Sequence, residues 1–575
     1  MNPRLGGTEA GSCVPAPVYE FEPPRMISSV VSSDDRVRYY LVFAAVVIFL
    51  ILPLWPVAIL PWTDIGDHMA RVYILHHFND VPVFRQYYEI ERLPLPNLAM
   101  DLILPPMLSF MSAYVAAKVF ASISVVLFAV ACHVFGRTVH GAPTWLAIPA
   151  AFFFYNSLMI MGYVNYMWGV AWFLLAAAAW LVFHRTHSVA SGVLTCAAAS
   201  VTYISHLTGF FYLGLFAGCM TAWSLLSSRR VTVWNAISFL PLLPGLAAYA
   251  TLGSAKGDIQ RIQWNPLIVK LAHSGLLIAG YSVWMDAIVI CGLALVIVAV
   301  VRSGKWGGDR ALLATGGVFL LAFCVFPYTI HTGGDADSRF ILPGALLLLL
   351  SVTVSWGRRS SAQAVHAVAR DSCRLPRADV SRADTPAANA PWASARRSYL
   401  TLLTVLAIRI VLMEGYWLSA ERILTEQLAV VTQVGEQSRI YPMAFIPRGR
   451  TETKMLGALM HISGYAVIDR NAVSASTFAF AGQQPLQHRI PLPYVEVRPS
   501  TSLGEIPWKQ VFDNYDYLWI YNGGPEFLAF LDQHAHLRAQ SGVGRLYRLT
   551  APDPAGHAAV IPGPAASGVF VPGKL

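Results

Sequence analysis

Long apolar runs without charge are the feature that most constrains how this chain can fold. The first of them, Leu41 to Pro61, contains no charged side chain. A helix needs about 20 apolar residues to cross a bilayer, and in lipid only helices and closed barrels satisfy all their backbone hydrogen bonds. About eleven such runs follow one another along the sequence. The sequence therefore predicts an α-helical polytopic membrane protein.

The composition agrees with this class and excludes others. Charged residues make up 13% of the 575 residues, against about 25% in soluble proteins. The net charge of +9 comes largely from Arg and Lys in short connectors, where such residues set topology. We therefore expect no nucleic-acid partner. The seven cysteines show no zinc or disulfide spacing.

The basic connectors predict the orientation in the membrane. When the spans alternate, Arg137, Arg185, Arg229 and Arg230, Arg302 to Arg310, and the run 358–397 all fall on one side, which the positive-inside rule makes the cytoplasm. The predicted segments are then a disordered cytoplasmic tail (1–36), a transmembrane domain (37–356) with an extracytoplasmic first loop (61–104), a basic cytoplasmic linker (357–397), a last span (398–418), an extracytoplasmic domain (419–550) and a disordered tail (551–575).

The extracytoplasmic domain shows the pattern of a small α/β fold. Helical periodicity covers Glu421–Gln437, and Pro525–Gln533 follows an Asn-Gly-Gly turn as a second helix. Short runs rich in apolar and β-branched residues predict the strands Ser438–Ala444, Ala466–Asp469, Tyr515–Tyr521 and Val543–Leu549. We therefore expect a C-terminal α/β domain after the last span.

The first loop carries the strongest candidate site. Asp64, Asp67, His68 and Arg71 directly follow the first apolar run, and charges at the end of a span are costly and usually functional. If Ile65–Phe78 is a helix, these four residues lie at i, i+3, i+4 and i+7 on one face. A carboxylate held there can act as a general base toward a hydroxyl group, so we interpret Asp64 and Asp67 as the catalytic candidates.

Other polar residues fall on the same side. His206 lies in a tight turn between two spans, and His331, Asp337 and Arg339 precede another. A guanidinium group such as that of Arg339 suits bidentate contact with a phosphate. We interpret these residues, together with two from the first loop, as substrate-binding candidates: His68, Arg71, His206, His331, Asp337 and Arg339.

Plainer interpretations stay open for the same residues. Asp64, Asp67 and Arg71 could form an ion-paired helix face, His206 could cap a helix, and the segment from His331 to Asp337 could be an ordinary polar loop. A divalent cation held by Asp64, Asp67, His68 and His206 is a further interpretation, although carboxylate and imidazole ligands need a convergence in space that spacing alone does not show.

The layout resembles the GT-C superfamily of integral membrane glycosyltransferases. The matching stretches are Asp64-Ile-Gly-Asp-His-Met-Ala-Arg71 after the first span, Ser205-His-Leu-Thr208, and Asp337-Ser-Arg-Phe-Ile-Leu-Pro343 at a late span. The sequence departs from the commoner pattern because its first loop has no adjacent Asp-Glu pair, which leaves open whether Asp64 or Asp67 is the base.

The resemblance implies a function. It implies inverting transfer of a hexose or pentose from a polyprenyl-phosphate donor, a membrane lipid, to a lipid, polysaccharide or protein acceptor. The reaction would take place at the outer face of a bacterial inner membrane. Two alternatives are a lipid or solute transporter, which would carry ionisable residues near mid-membrane, and a non-catalytic scaffold of envelope assembly.

Overall fold

A computed structural model describes most of the chain. The described residues are 33–91, 95–252, 262–273, 280–302, 306–330, 334–354, 390–447, 450–480 and 482–549. Most of the predicted tails and of the linker 357–397 lie outside this part, and so does His331. The described ends differ from the predicted bounds, since residues 33–36 already belong to the first helix and residues 390–397 begin the last long helix. Asp34 and Asp35 in the first turn favour the earlier start because acids stabilise a helix N-terminus.

Among the described residues, eleven apolar helices correspond one by one to the predicted spans. Six of those described are long and apolar enough to cross a membrane: Ser33–Leu54, Ala113–His140, Val164–Thr186, Leu207–Ser228, Val233–Thr251 and Tyr399–Val431. Five more are shorter: Ala147–Ile160, Val189–Ser205, Val283–Leu295, Arg310–Val325 and Ser338–Ser351. Large apolar side chains such as Leu226 and Trp284 lie exposed on these helices, as expected for surfaces that face lipid. The predicted class, an integral membrane protein of polytopic helices, is confirmed.

The second predicted span is broken into two helices. Ala99–Met107 ends shortly after Pro105 and Pro106, and Ala113–His140 begins after Ser112, whose hydroxyl accepts the backbone N–H of Val115. A capping serine of this kind starts a new helix. The break lies beside the first loop, and it places Tyr114 next to the C-terminal domain.

The remaining elements are short. The helices are Ile65–His77, Pro82–Tyr87, Leu267–His273, Arg450–Met455, Gly464–Arg470, Trp508–Asn514 and Pro525–His534. The 3-10 turn Gly457–His461 precedes Gly464–Arg470. One antiparallel pair joins the strands Trp306–Gly308 and Val352–Val354.

The C-terminal domain is a five-stranded mixed sheet flanked by helices. Its strands, in spatial order, are Val473–Ser474, Arg439–Ala444, Tyr517–Tyr521, Gly544–Leu549 and Ala535–Ser541. The first three strands are parallel to one another, and Gly544–Leu549 is antiparallel to both of its neighbours. The last span and the first helix of the domain are one 42-residue helix, Ala390–Val431, so the membrane part continues directly into the domain.

One sequence-based prediction in this domain was wrong. Ala466–Asp469, expected as a strand, lies within the helix Gly464–Arg470. A short apolar run does not distinguish strand from helix by its pattern, and here its buried residues pack against the first loop. Val467 shares a hydrophobic cluster with Ile74 of the helix Ile65–His77.

The C-terminal domain is docked on the first loop of the membrane part. The loop strand Tyr88–Ile90 pairs antiparallel with Leu486–His488 of the domain. Gly66 and Gly464 lie at the point of closest approach, where a Cβ at Gly66 would overlap the carbonyl oxygen of His461 and one at Gly464 would overlap the carbonyl oxygen of Gly66. Since glycine has no Cβ, it allows two backbones to approach this closely.

The polar connectors gather at two opposite ends of the helical bundle. At the end with the basic connectors, His140 Nε2 is 2.8 Å from the carbonyl oxygen of Leu350, and Arg185 donates to that of Thr138 at 3.0 Å. The first loop and the His206 turn meet at the other end, where the side-chain oxygen of Asn97 accepts the backbone N–H of Leu207 at 3.0 Å. The grouping agrees with the alternation predicted from the sequence.

The substitution Gly464→Ala tests this docking. The added methyl group would meet backbone rather than a movable side chain, and overpacking of this kind costs about 1–3 kcal/mol. We expect the amides of residues 464–470 to exchange with deuterium roughly tenfold faster in nanodiscs. Gly504→Ala, at a position with no atom within 4 Å of the added Cβ, is the matched control. Unchanged exchange in Gly464→Ala would contradict the docked arrangement.

Candidate active site

The first-loop acids lie at the start of the helix Ile65–His77. Asp64 is its N-cap residue and Asp67 is in its first turn, as the sequence predicted. The backbone N–H of Asp64 donates to the carbonyl oxygen of Met161 at 3.1 Å. The next residue, Gly162, has a φ of +96°, and a Cβ there would press on Asp64. The turn between two spans therefore holds the backbone of Asp64 in place.

A histidine from the C-terminal domain joins the two carboxylates. His461 Nδ1 is 2.5 Å from Oδ2 of Asp67, and His461 Nε2 is 3.5 Å from Oδ1 of Asp64. The Asp67 side chain is fully buried, whereas that of Asp64 is 18% exposed. The imidazole ring thus lies between a buried acid and an accessible one.

Asp67 receives further support from buried serines. The hydroxyl of Ser476 donates to Asp67 Oδ1 at 3.1 Å. Ser463 and Ser474 lie behind it, with hydroxyl oxygens 2.8 to 3.2 Å from one another and from that of Ser476. Both carboxylate oxygens of Asp67 are therefore hydrogen-bonded, as a buried charge requires. With Oδ2 held by His461, Asp67 is fixed in position.

Burial and neighbouring charges shift the pKa values of both Asp64 and His461. Burial raises the pKa of Asp64 to about 7, against the opposing effect of His461. Burial by itself lowers the pKa of His461, but the carboxylates of Asp67 and Asp64 outweigh it and raise the value to about 9. At neutral pH the ring is a cation that donates toward both acids, and Asp64 is poised between its two forms. A carboxylate with a pKa near the working pH is suited to general base catalysis.

The ring of Phe478 separates the site from His68. The ring centroids of Phe478 lie 5.0 Å from His68 and 5.2 Å from His461. Burial lowers the pKa of His68 well below its usual value, and Arg71 and His461 add to this effect. His68 is therefore neutral, and its Nδ1 is buried without a hydrogen-bond partner among the residues that the structure describes.

Arg71 is paired with a residue that sequence reasoning had not singled out. Its Nε and Nη2 donate to the two carboxylate oxygens of Asp101 at 2.7 and 3.0 Å, and both side chains are buried. Asp101 stands in the helix Ala99–Met107, just before the break in the second span. Because Arg71 is paired with Asp101, it does not form an ion-paired face with Asp64 and Asp67. These two acids contact His461 instead.

Arg339 lies against Tyr163, which is in the same turn as Met161, the backbone partner of Asp64. Its guanidinium carbon is 4.9 Å from the centre of the Tyr163 ring, and its Nη2 donates to the carbonyl oxygen of Gly334 at 3.2 Å. The hydroxyl of Tyr163 donates to Asp335 at 3.2 Å. Within the described part of the chain, Arg339 Nε has no hydrogen-bond partner. The guanidinium group therefore keeps donor capacity next to the turn that holds Asp64.

Asp337 is engaged in a buried ion pair. Its Oδ2 is 3.1 Å from Nζ of Lys270, with both side chains 2% exposed, and its Oδ1 accepts the backbone N–H of Ser338. Lys270 also donates to the carbonyl oxygens of Phe323 and Phe326 at the end of another helix. Asp337 thus fixes the segment that carries Arg339.

His206 is placed as a helix cap. Its Nδ1 accepts the backbone N–H of Thr208 at 3.1 Å, at the N-terminus of Leu207–Ser228. Its ring packs edge-on against Tyr166 and lies over Gly169. His206 therefore caps a helix, which is the plainer interpretation of this histidine.

The residues that sequence reasoning missed come from distant parts of the chain. His461 stands 394 positions after Asp67, and Ser476 stands 409 positions after it. Neither residue belongs to a motif, and His461 is one of four histidines in the C-terminal domain with nothing in its neighbours to distinguish it. Asp101 lies within the first loop, but nothing in the sequence indicates its pairing with Arg71.

The four residues considered for a divalent cation do not come together as a ligand set. His206 caps a helix and His68 packs on Phe478, whereas Asp64 and Asp67 face the two nitrogens of His461. In the described ranges, no group of three His, Cys, Asp or Glu side chains is arranged to hold a metal ion. These four side chains therefore do not fit a resident metal in this arrangement.

Comparisons with known proteins give a likeness of layout. No protein-family model matches the chain, and no curated protein sequence matches it. Among solved structures, ArnT from Cupriavidus metallidurans bound to undecaprenyl phosphate is similar, with a TM-score of 0.46, 11% identity, and coverage of 90% of this chain and 99% of that chain. The apo state of the same ArnT gives a TM-score of 0.45, 12% identity, and coverage of 90% and 98%. At this identity and TM-score, the likeness says nothing about the reaction.

The Arg71–Asp101 pair can be tested by thermal unfolding in detergent. The substitution Arg71→Met leaves the Asp101 carboxylate buried without its partner, which costs about 3–5 kcal/mol. We expect a clear fall in the unfolding midpoint, and partial recovery in the double variant Arg71→Met with Asp101→Leu. Arg422→Met, which removes an exposed arginine, is the control and should change little. An unchanged midpoint in Arg71→Met would contradict the structural role of the pair.

Proposed function

We propose that this protein is a membrane glycosyltransferase of the GT-C type. It would move a monosaccharide from a polyprenyl-phosphate donor to a lipid, polysaccharide or protein acceptor. The observation that carries the proposal is the arrangement of Asp64, His461 and Asp67, in which a buried acid and a histidine hold a second, accessible acid in place. A scaffold has no need for a partly exposed carboxylate whose pKa lies near neutrality.

In the proposed reaction, Asp64 is the catalytic base. The hydroxyl oxygen of the acceptor attacks the anomeric carbon of the donor sugar as its proton passes to the Asp64 carboxylate. The bond from the anomeric carbon to the phosphate oxygen breaks, and polyprenyl phosphate leaves with the electron pair. Attack opposite the leaving group inverts the anomeric configuration. Asp64 is favoured over Asp67 because Asp67 is fully buried and both its oxygens are already hydrogen-bonded.

His461 and Asp67 are positioning residues in this scheme. Asp67 fixes the ring through Nδ1, so that Nε2 faces Asp64. The protonated ring lowers the pKa of Asp64 relative to an unpaired buried acid. Without this cation, burial would keep more of Asp64 in the protonated form, which cannot accept a proton.

Arg339 is the candidate for the donor phosphate. Its guanidinium group stacks on Tyr163, and its Nε–H has no partner in the part of the chain that the structure describes. Such a donor suits contact with an anion whose charge grows as the bond to the sugar breaks. Large apolar side chains such as Trp284 lie exposed on the helices of the bundle, so the prenyl tail would lie in the lipid while its phosphate contacts the arginine.

The proposed orientation places this site outside the cytoplasm. The basic connectors lie at the opposite end of the bundle from the first loop, and the positive-inside rule puts that opposite end in the cytoplasm. In a bacterial inner membrane the N-terminus would then be cytoplasmic, and the C-terminal domain would face the periplasm.

A transporter is the second candidate, and one observation favours it. Asp286 and Arg409 are buried in apolar helices, and Arg409 donates to the carbonyl oxygen of Tyr155. Ionisable residues inside spans often mark a transport pathway. The substitution Asp286→Asn should abolish function if the protein is a transporter, and Asp64→Asn should abolish it if the protein is a transferase.

The substitution Asp64→Asn tests the proposed base. The amide cannot accept the proton of the acceptor hydroxyl, and loss of a general base lowers rates by about 10²- to 10⁴-fold. We expect this loss in nanodiscs supplied with short-prenyl phosphate hexose and pentose donors, followed by ³¹P NMR of released prenyl phosphate. Asp80→Asn, on an exposed acid just beyond the same helix, should keep wild-type activity. Wild-type activity in Asp64→Asn at equal expression would overturn the role of Asp64.

The pH dependence of the rate offers an independent check. The ionised form of Asp64 is populated above its pKa of about 7, and the cationic form of His461 is populated below its pKa of about 9. We expect the rate of prenyl phosphate release to rise through about pH 7 and to fall above about pH 9. In His461→Asn the fall above pH 9 should vanish, and the rise should move to higher pH because a cation that lowers the Asp64 pKa is gone. An acid limb that stays at pH 7 in His461→Asn would exclude this coupling.

A further inference from the structure

A cavity outside the Asp64–His461–Asp67 site is lined in part by Ile468 and Asp469 of the helix Gly464–Arg470. It has a volume of about 220 Å³, and it is formed where the first loop, the break in the second span and the C-terminal domain meet. Its lining includes Tyr73 and His77 from the first-loop helix, Leu108 and Tyr114 from the break, and Ile468 and Asp469 from the domain. All three parts of the molecule are needed to build it.

Tyr114 and Asp469 form a fixed polar wall. The hydroxyl of Tyr114 donates to Oδ2 of Asp469 at 2.8 Å, and its ring stacks on Tyr465 with centroids 5.3 Å apart. A carboxylate can accept about four hydrogen bonds, and Tyr114 uses one. Asp469 therefore keeps acceptor capacity at a position that the tyrosine has already set, which lowers the entropy cost of binding a ligand.

Tyr73 and His77 form a second wall of the cavity. The hydroxyl of Tyr73 donates to Asn471 at 3.1 Å, and its ring lies 4.3 Å from that of His77. Burial lowers the pKa of His77, as does the neighbouring His76, so the imidazole is neutral and offers one donor and one acceptor. The wall presents aromatic surface together with uncharged polar groups.

The charge of the lining selects the class of ligand. The described residues that line the cavity include one acid and no Lys or Arg, so a phosphate group would find no cation to pair with. Aromatic rings, a carboxylate and an imidazole match the apolar faces and the hydroxyl groups of a sugar. The volume is below the roughly 300–1,000 Å³ of pockets for drug-sized ligands, which suits one sugar ring better than a longer chain.

We propose that the cavity between Tyr73, Tyr114 and Asp469 binds one sugar unit of the acceptor. The assignment to the acceptor rests on the proposed function. Tyr73 stands nine positions after Asp64, which corresponds to about 14 Å along a helix. A glycan-bearing acceptor held at this cavity would thus present a hydroxyl to Asp64 from a sugar further along its chain. The acceptor class is then a glycolipid or polysaccharide.

Saturation-transfer NMR on the full chain in nanodiscs tests the cavity directly, with D-glucose and D-glucosamine as probes. We expect signals from at least one of them with the wild-type protein. The substitution Ala113→Leu fills the cavity from its lining and should abolish the signals. Tyr114→Phe keeps the stacked ring but removes the hydrogen bond to Asp469, and it should weaken binding about tenfold. Val115→Leu, on the exposed side of the same helix, is the control and should bind normally.

The outcomes separate this proposal from the catalytic one. Signals that persist in Ala113→Leu, or the absence of any signal with the wild-type protein at 100-fold probe excess, would overturn the sugar site. Displacement of the sugars by inorganic phosphate would overturn it as well, since it would identify an anion site. Asp64→Asn should bind the sugars as the wild-type protein does. If sugars bind while no donor is turned over, the transferase proposal fails and the sugar site stands.

Discussion

The contact between Asp67 and His461 is the interaction on which the rest of the site depends. It joins the first-loop helix to a domain at the far end of the chain, through a fully buried acid and an imidazole whose side chain is 13% exposed. Burial of a carboxylate is costly without partners, so the loop and the domain stabilise each other there. The close approach at Gly66 and Gly464 brings the two parts near enough for this hydrogen bond. As a consequence, Nε2 of His461 lies 3.5 Å from the carboxylate of Asp64.

Two buried ion pairs near the site decide which charged side chains of the described residues are without a strong partner. Asp101 takes up Arg71, and Lys270 takes up Asp337. If Arg71 were unpaired, it would compete with His461 for Asp67, and the acids would form an ordinary ion-paired face. Because each of these strong charges already has a buried partner, the partly exposed carboxylate beside His461 is that of Asp64, and Arg339 Nε has no hydrogen-bond partner among the described residues. A buried pair of this kind adds little net stability, but it removes alternative pairings.

Several parts of the fold could be predicted because they depend on neighbouring residues. The helix at Ile65–His77 agrees with the helical spacing of its polar residues and with Asp67 in its first turn, and the break near residue 110 agrees with Pro105, Pro106 and Ser112. The strand predicted at Ala466–Asp469 failed for the opposite reason. Its apolar run is too short to set a period, and the surface against which it packs, around Ile74, comes from a segment almost 400 positions away.

The sequence by itself determined that the chain crosses the membrane many times, that basic connectors alternate with the loops that hold the candidate site residues, and that the first loop carries two acids at the start of a helix. These properties are local, because hydrophobic runs and helix caps act over a few residues. Only the tertiary structure decided which acid is accessible and which is held, since that choice depends on His461, Ser476 and Asp101. Their side chains reach the first-loop helix from distant segments, and the pattern of consecutive residues carries no record of such contacts.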